Sequence, residues 1–217
     1  MAGGYDPNNP PIRAGFYSRI QAAAEAAATG GDGGIVAVPI VGNWGPVAEF
    51  NRVANQTEYE ALYSTTDNDD HFFMVGAFTG NGEVGNGAKE LLVYRLDLGG
   101  AATAERDFEN DDADPAINIA AKYQGTRGND ITITFRNDPT DVGNDQMLVY
   151  VDGGLVETYT YIEDDLASLV ADANANSEWV SLTLILDGVV MTLVTGIALD
   201  NTAGANGSAV LVDYTDA

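Results

Sequence analysis

The stretch AAKYQGTRGNDITITF, Ala120–Phe135, decides how the second half of the chain is organised. Apolar side chains alternate with polar ones on both sides of its centre, which is typical of half-buried strands. The apolar positions are Ile117, Ile119, Ala121, Ile131, Ile133 and Phe135. Between the two runs, Gly125 and Gly128 permit the positive φ of a sharp reversal, and Asn129-Asp130 can hydrogen-bond to its own backbone. We predict a hairpin-like corner with a structural turn at Gly125, Arg127, Gly128, Asn129 and Asp130.

The residues after this corner indicate a β-rich outer domain over residues 116–208. Asp152-Gly153-Gly154 and Asp187-Gly188 are strong hairpin-turn signals. They predict a hairpin of Met147–Val151 with Leu155–Tyr161, and a second of Trp179–Leu186 with Val189–Thr195. Between the hairpins, Glu163–Ala173 has the spacing of a helix with acidic residues at its start. Asn201–Ser208 is glycine-rich and is predicted to be a loop.

Upstream, residues 21–98 predict a small α/β unit of strand, helix, helix and strand. Its strands are a buried Ile35–Val41 and a buried Leu91–Leu96. Thr57 with Glu60 forms a capping-box pattern that predicts a helix with Thr57 as its N-cap. A second helix is predicted at His71–Phe78. Trp44, within the Asn43-Trp44-Gly45-Pro46 turn, is interpreted as a packing anchor rather than a ligand-stacking residue.

Residues 1–20 are rich in proline and glycine and are predicted to form an extended N-terminal arm. Within the arm, Phe16, Ser18 and Ile20 share one face of a possible strand, opposite Tyr17 and Arg19. Two interpretations remain open. This segment is either the first strand of the local domain or an arm that adds a strand to a neighbouring molecule.

The charge of the chain is strongly one-sided, with 9 basic and 33 acidic residues and a formal net charge of −24. Affinity for nucleic acid needs clustered cations, so this composition excludes phosphate-based binding. It fits either a heavily solvated outer surface or adaptation to a salt-rich host cytoplasm. The acids are densest in residues 105–114, and we expect residues 99–115 to be a solvated linker.

No motif in the chain predicts catalysis or a bound cofactor. The spacing Gly80-x-Gly82-x-x-Gly85 resembles a dinucleotide fingerprint, but too few residues separate it from the next strand for a crossover helix. Asp107, Glu109 and Asp111 start like a calcium loop, which lacks its glycine and its final carboxylate. The chain has one histidine, His71, and no cysteine. We therefore expect no catalytic, cofactor-binding or metal-ligating residues.

Several segments in the same order resemble the contractile phage tail sheath family. AKYQGTRGND, Ala121–Asp130, is similar to the AKYPGTRGN-D run of that family, with Gln124 in place of proline. Ile12-Arg-Ala-Gly-Phe-Tyr17 is similar to its R-P-G-V-Y arm, with Ala14 in place of proline. Further matches are Gly34–Pro39, Asn43-Trp-Gly-Pro46, Leu92–Leu96 and Gly99–Ala104. The resemblance spans nearly all 217 residues.

The resemblance implies a structural, non-enzymatic subunit of α+β fold, assembled in the host cytoplasm into the tail of the virion. Copies would stack as hexameric rings in a helical homo-oligomer around the tail tube protein and contract to drive the tube through the host envelope. The baseplate and tail terminator would be further partners, without nucleic acid or membrane insertion. The inter-subunit arm would comprise Ile12, Arg13, Gly15, Phe16, Tyr17 and Ile20.

Sheath subunits usually continue into a subtilisin-like domain and a C-terminal domain, neither of which matches this sequence. On that reading, residues 209–217 are the start of a following domain. The alternative function is a stand-alone acidic β-domain that binds cations or a receptor at a virion or cell surface.

Overall fold

The structure is a computed structural model that describes residues 34–64, 74, 76–79 and 87–208. The predicted arm with its six residues, the helix start at His71, the Gly80–Gly85 motif and residues 209–217 lie outside the described residues. The fold is α+β, with a small sheet followed by a β-sandwich-like domain that carries one helix. This fold class agrees with the one predicted from the sequence.

The described elements comprise twelve strands, two α-helices and one 3-10 helix. They are β1 (Ile35–Ile40), β2 (Phe50–Val53), α1 (Gln56–Tyr63), β3 (Glu90–Arg95), β4 (Gly99–Ala102), β5 (Glu105–Glu109), β6 (Pro115–Ala121), the 3-10 helix (Thr126–Asp130), β7 (Ile131–Asn137), β8 (Asn144–Val151), β9 (Gly154–Ile162), α2 (Leu166–Asn176), β10 (Val180–Leu184), β11 (Val194–Ala198) and β12 (Ala205–Ser208). Residues 74 and 76–79 are also helical.

The inner sheet has the order β1-β3-β2, with β1 parallel and β2 antiparallel to β3. The central strand β3 alternates buried and half-buried residues, as its sequence predicts. The expectation that the first strand is buried was wrong, because β1 lies at the sheet edge and exposes Ile35 and Val36. Strand β2 was not predicted, since four residues with a central Asn-Arg carry no period-two apolar signal.

The N-cap of helix α1 lies two residues before the N-cap that the sequence predicts. Its N-cap is Asn55, whose side chain accepts a hydrogen bond from the Glu58 amide over 2.9 Å. Glu58 in turn accepts from the Ala54 amide at 2.7 Å. The cap predicted at Thr57 and Glu60 is therefore formed at Asn55 and Glu58, because Asn is at least as good an N-cap as Thr, and Glu58 binds the amide before the N-cap and not that of the N-cap itself.

The expectation that residues 99–115 form a solvated linker was wrong. Strand β5 pairs antiparallel with β6, and β4 pairs antiparallel with β12. In β5, Phe108 is buried while its acidic neighbours face outward, so the first half of the charge run is one face of a strand and the rest lies in the turn before β6. The glycine-rich loop predicted at Asn201–Ser208 likewise contains β12.

The outer domain packs two sheets, β10-β6-β5 and β11-β7-β8-β9, around one apolar core. Helix α2 packs against β9 and β10 and buries Leu166, Leu169 and Ala173. It starts three residues later than predicted, because Asp165 is its N-cap and accepts from the Ser168 amide at 3.0 Å. The core also contains Trp44 from the turn after β1, which confirms that residue as a packing anchor.

One of the two predicted hairpins forms and the other does not. Strands β8 and β9 pair across Asp152 and Gly153, whose φ angles of 51° and 76° are those of a type I′ turn. The second prediction was wrong, because β10 pairs with β6 while β11 pairs with β7 in the opposite sheet. Asp187 serves instead at the start of α2, where its carboxylate accepts from the Ala167 amide at 3.2 Å.

Candidate functional site: the junction between the inner sheet and the outer domain

The corner that the sequence singles out connects the two layers of the outer domain. Strand β6 belongs to one sheet and β7 to the other, so the predicted hairpin-like pairing of these strands does not occur. The chain crosses between the sheets through a 3-10 helix, Thr126–Asp130, which begins after Gly125 at φ 128°. A crossing lets Ile117 and Ile119 of β6 face Ile131 and Ile133 of β7 in one shared core.

Arg95 ties this corner to the inner sheet. The side chain lies at the end of β3 and is only 1% exposed. Its guanidinium donates to three backbone carbonyl oxygens: Nε to Gly42 at 2.8 Å, Nη1 to Gly45 at 2.7 Å and Nη2 to Gln124 at 2.8 Å. A planar group with five donors suits such convergent acceptors, whereas the single ammonium of a lysine does not.

Gly125 lies where the corner meets the turn after β1. An added Cβ at this residue would stand 2.1 Å from the carbonyl oxygen of Asn43 and 3.0 Å from Nη2 of Arg95. Its amide donates to the Ala102 carbonyl oxygen at 3.0 Å. Glycine is required here for two reasons, the positive φ and the close approach of another backbone.

The other face of the corner is held by the start of β12 and the residue before it. Asn129 donates to the Gly204 carbonyl oxygen at 3.1 Å and accepts from the Gly204 amide at 2.7 Å. The Thr126 amide donates to the side-chain oxygen of Asn206 at 2.8 Å. Three separate segments, residues 42–45, 102–104 and 204–206, therefore converge on the corner.

Arg127 supports the corner from inside the outer domain. Its guanidinium is 2.7 Å from the Asp152 carboxylate and 3.3 Å from that of Asp130. It also lies 5.9 Å from the ring centroid of Trp179, which stacks on Trp44 at 5.2 Å. Arg127 thus joins the start of the 3-10 helix to the β8–β9 turn. The sequence predicted Arg127 only as a residue of the turn and not this contact with the β8–β9 turn.

Burial raises the pKa values of several tyrosines among the described residues. Desolvation raises the pKa of Tyr63 and Tyr159 to about 12, which leaves both phenols protonated at neutral pH. Within the described ranges, no group of three or more His, Asp or Glu side chains is placed to hold a metal ion.

No helix in the described part of the chain is long and apolar enough to cross a membrane.

The predicted turn residues Gly125, Arg127, Gly128, Asn129 and Asp130 lie together in this junction. Sequence reasoning missed its other members, Arg95, Gly204 and Asn206. Arg95 is the last residue of β3 and shares the buried face of Leu91 and Val93, and an inward-facing arginine at that register is the one signal that could have pointed to it. Gly204 and Asn206 carry no local signal, because their partners are 75 and 80 residues away in sequence.

The arrangement of these strands is a tail sheath-like fold. It matches the sheath tail protein of Desulfitobacterium hafniense with a TM-score of 0.63, at 23% identity over 95% of this chain and 41% of that one. It matches the sheath tail protein of Listeria innocua with a TM-score of 0.65, at 24% identity over 89% and 39% of the two chains. The resemblance that the sequence suggested is confirmed as a resemblance of fold.

Two curated relatives from Bacillus subtilis (strain 168) are similar to this chain in sequence. The uncharacterized protein YqbK is 27% identical over 206 residues, which are 94% of this chain and 40% of YqbK. The phage-like element PBSX protein XkdK is 26% identical over 148 residues, 68% of this chain and 29% of XkdK. The chain thus spans about two fifths or less of the length of these relatives. No protein-family profile matches it.

Proposed function

We propose that this chain is a structural, non-enzymatic component of a phage tail, and specifically a tail sheath subunit. The observation that carries the proposal is the shared fold with two sheath tail proteins over about nine tenths or more of this chain. The similarity to a protein of the phage-like element PBSX supports it from sequence. The protein would reside in the virion tail after assembly in the host cytoplasm.

In the finer form of the proposal, copies stack as hexameric rings around the tail tube protein and contract to drive the tube through the host envelope. A baseplate and a tail terminator would bound the stack. Helical arrays need heterologous contacts that do not close on themselves. The buried junction at Arg95 and Gly125 supports this role, because it would let an inner and an outer part of the subunit move as one body.

The proposed division of the chain follows its two apolar clusters. One cluster belongs to the inner sheet and α1, and the other fills the outer domain. We assign residues 21–98 to an inner unit, residues 116–208 to an outer domain and residues 209–217 to the start of a following domain. Residues 1–20 would be the arm that adds a strand to a neighbouring subunit through Ile12, Arg13, Gly15, Phe16, Tyr17 and Ile20.

Negative-stain electron microscopy tests the assembly, first with the full chain and then with residues 1–20 deleted. The full chain is expected to form rings or tubes, and the deletion to leave isolated rings or single subunits. Tubes that form equally well without residues 1–20 would contradict the arm. Monodisperse full-length monomers at high concentration, with no rings under any salt condition, would contradict self-assembly of this chain.

A further inference from the structure

An acidic turn and a groove with a partly basic rim lie at opposite ends of strand β6. The turn is formed by residues 110–114 between β5 and β6, and the groove starts at Lys122, directly after β6. Lys122 lies eight positions after Asp114 along extended chain, which corresponds to about 26 Å. The two features are therefore too far apart to meet within one molecule.

The acidic turn has a fixed backbone and exposed carboxylates. The side-chain oxygen of Asn110, which is only 3% exposed, accepts from the amides of Asp112 at 3.0 Å and Asp114 at 2.9 Å. The Asn110 amide donates to the Asp114 carbonyl oxygen at 2.9 Å. The carboxylates of Asp111, Asp112 and Asp114 are exposed and make no hydrogen bond or ion pair within the described ranges. These bonds hold three negative charges in one preformed turn, which we call the knob. Because the backbone of the knob is already ordered, binding would cost little conformational entropy.

The groove lies between α1, β2 and the start of the corner and encloses about 400 Å³. Its apolar wall is made by Trp44, Val53, Leu62 and Tyr123. Two basic side chains stand at the rim. Arg52 has a side chain 62% exposed and uses its Nε for Glu90, which leaves the terminal nitrogens toward solvent. Lys122 is exposed and donates to the Ser177 carbonyl oxygen, which occupies one of its three protons.

Two acidic side chains also line the groove. The carboxylate of Glu58 is already used by the Ala54 amide and the Asn55 side chain at the start of α1. Glu178 is exposed at the rim and opposes an acidic ligand. On a chain with 33 acidic and 9 basic residues, a groove lined by both Arg52 and Lys122 still repels an acidic loop less than a purely acidic surface does.

We propose that this groove receives the 110–114 turn of a second copy of the chain. The contact rests on the proposed function in that it supplies one heterologous interface for polymerisation. Because knob and groove occupy opposite ends of β6, each copy would offer a knob to the next and a groove to the one before. Such a head-to-tail contact extends into a ring or a helical stack and does not close as a two-fold dimer.

Disulfide cross-linking tests the contact cleanly, since the chain has no cysteine. The full chain carrying both Asp112→Cys and Ala61→Cys, with Ala61 exposed in the groove, is expected to give a ladder of dimers, trimers and higher species on oxidation. The matched control carries Asp164→Cys with Ala61→Cys, because Asp164 lies in another exposed acidic run. It is expected to give about tenfold less product, as a loop without the complementary partner associates more slowly.

Charge reversal then decides between a specific contact and random collision. Both tests start from the variant with Asp112→Cys and Ala61→Cys. Adding Asp111→Lys and Asp114→Lys is expected to suppress the ladder about tenfold. Adding Arg52→Glu and Lys122→Glu to that variant as well is expected to restore the ladder. Glu178→Gln is expected to increase the amount of ladder.

Three outcomes would overturn the contact: absence of a ladder, equal ladders from the control pair, or suppression without rescue in variants with unchanged circular dichroism. Rings or tubes in which the oxidised cysteine pair gives no ladder would refute this interface and leave the proposed function standing, whereas a rescued ladder without rings or tubes would do the reverse.

Discussion

The guanidinium of Arg95 donates to the carbonyl oxygen of Gln124 over 2.8 Å, which joins the last residue of β3 to the corner of the outer domain. The same side chain binds the carbonyl oxygens of Gly42 and Gly45, so one buried group fixes both the turn after β1 and the corner to the end of β3. Inner sheet and outer domain are therefore held together by donors and acceptors that water cannot readily replace.

Replacing Arg95 is expected to destabilise the protein strongly. Arg95→Ala leaves three carbonyl oxygens without this donor, and each buried unsatisfied acceptor costs about 1–3 kcal/mol. We expect a loss of about 3 kcal/mol or more in the free energy of unfolding, measured by urea denaturation. Arg95→Lys should recover only part of the loss. The matched control is Arg136→Ala on the exposed face of β7, which should change stability by less than about 0.5 kcal/mol.

Gly125→Ala tests the close approach at the corner. The added methyl group meets the Asn43 carbonyl oxygen at 2.1 Å, and the residue is held at φ 128°. We expect a loss of roughly 2–5 kcal/mol from the combined overlap and strain. Gly143→Ala is the control, because Gly143 also has a positive φ but nothing lies within 4 Å of its added Cβ. A loss no larger at Gly125 than at Gly143 would show that the backbones do not approach as described.

The cap of α1 gives a smaller and more local test. Asn55→Ala removes the side-chain acceptor of the Glu58 amide and should cost about 1 kcal/mol in the free energy of unfolding. Thr57→Ala should be nearly neutral, since Thr57 lies inside the helix and is exposed. Thermal or urea unfolding measures both effects. A larger loss from Thr57→Ala than from Asn55→Ala would contradict Asn55 as the N-cap and favour Thr57, as the sequence predicted.

Asp145 is expected to make stability depend on pH. Asp145 is 1% exposed near the start of β8, and burial raises the pKa of its carboxyl, with the nearby charge of Asp111 acting in the same direction. The Asn137 side chain donates to one of its oxygens at 3.0 Å, which opposes the shift. Because the folded-state pKa lies above the unfolded value, the carboxylate destabilises the fold at neutral pH, and this penalty declines as pH falls through the folded-state pKa.

Asp145→Asn should therefore stabilise the protein at pH 7, and the gain should vanish at pH values below the ordinary aspartate range. Urea denaturation at several pH values measures this difference. Asp138→Asn should behave oppositely, because hydrogen bonds from the Thr140 hydroxyl and amide lower the pKa of Asp138. Its contribution is present at neutral pH and lost as pH falls. A gain from Asp145→Asn that is independent of pH would contradict an ionised, buried carboxylate.

The sequence predicted those parts of the fold that local rules determine. Alternation in β6 and β7 identified both strands, and Asp152-Gly153 identified the turn whose two positive φ angles this pair favours. The same rule failed at Asp187-Gly188, because Asp187 bonds to the start of α2 and β10 and β11 join different sheets. Turn residues determine which local backbone conformations a segment can adopt, whereas the pairing of strands depends on packing throughout the core.

The errors at the junction have a similar origin. A run with six acids among residues 105–114 indicated a linker, yet alternate positions suffice to bury Phe108 while the acids stay solvated. The five corner residues were located from sequence, but Arg95 was not. Its acceptors lie 53, 50 and 29 residues away, and no local pattern shows them.

Immunogold electron microscopy of phage-like particles from cells that encode this chain tests the central claim most directly. With antibody against the purified chain, the proposed sheath subunit predicts gold label spaced along the whole length of the tail, with none on the head. Label confined to the tail tip or the head, or particles with intact tails and no label, would contradict the role of this chain as a tail sheath subunit.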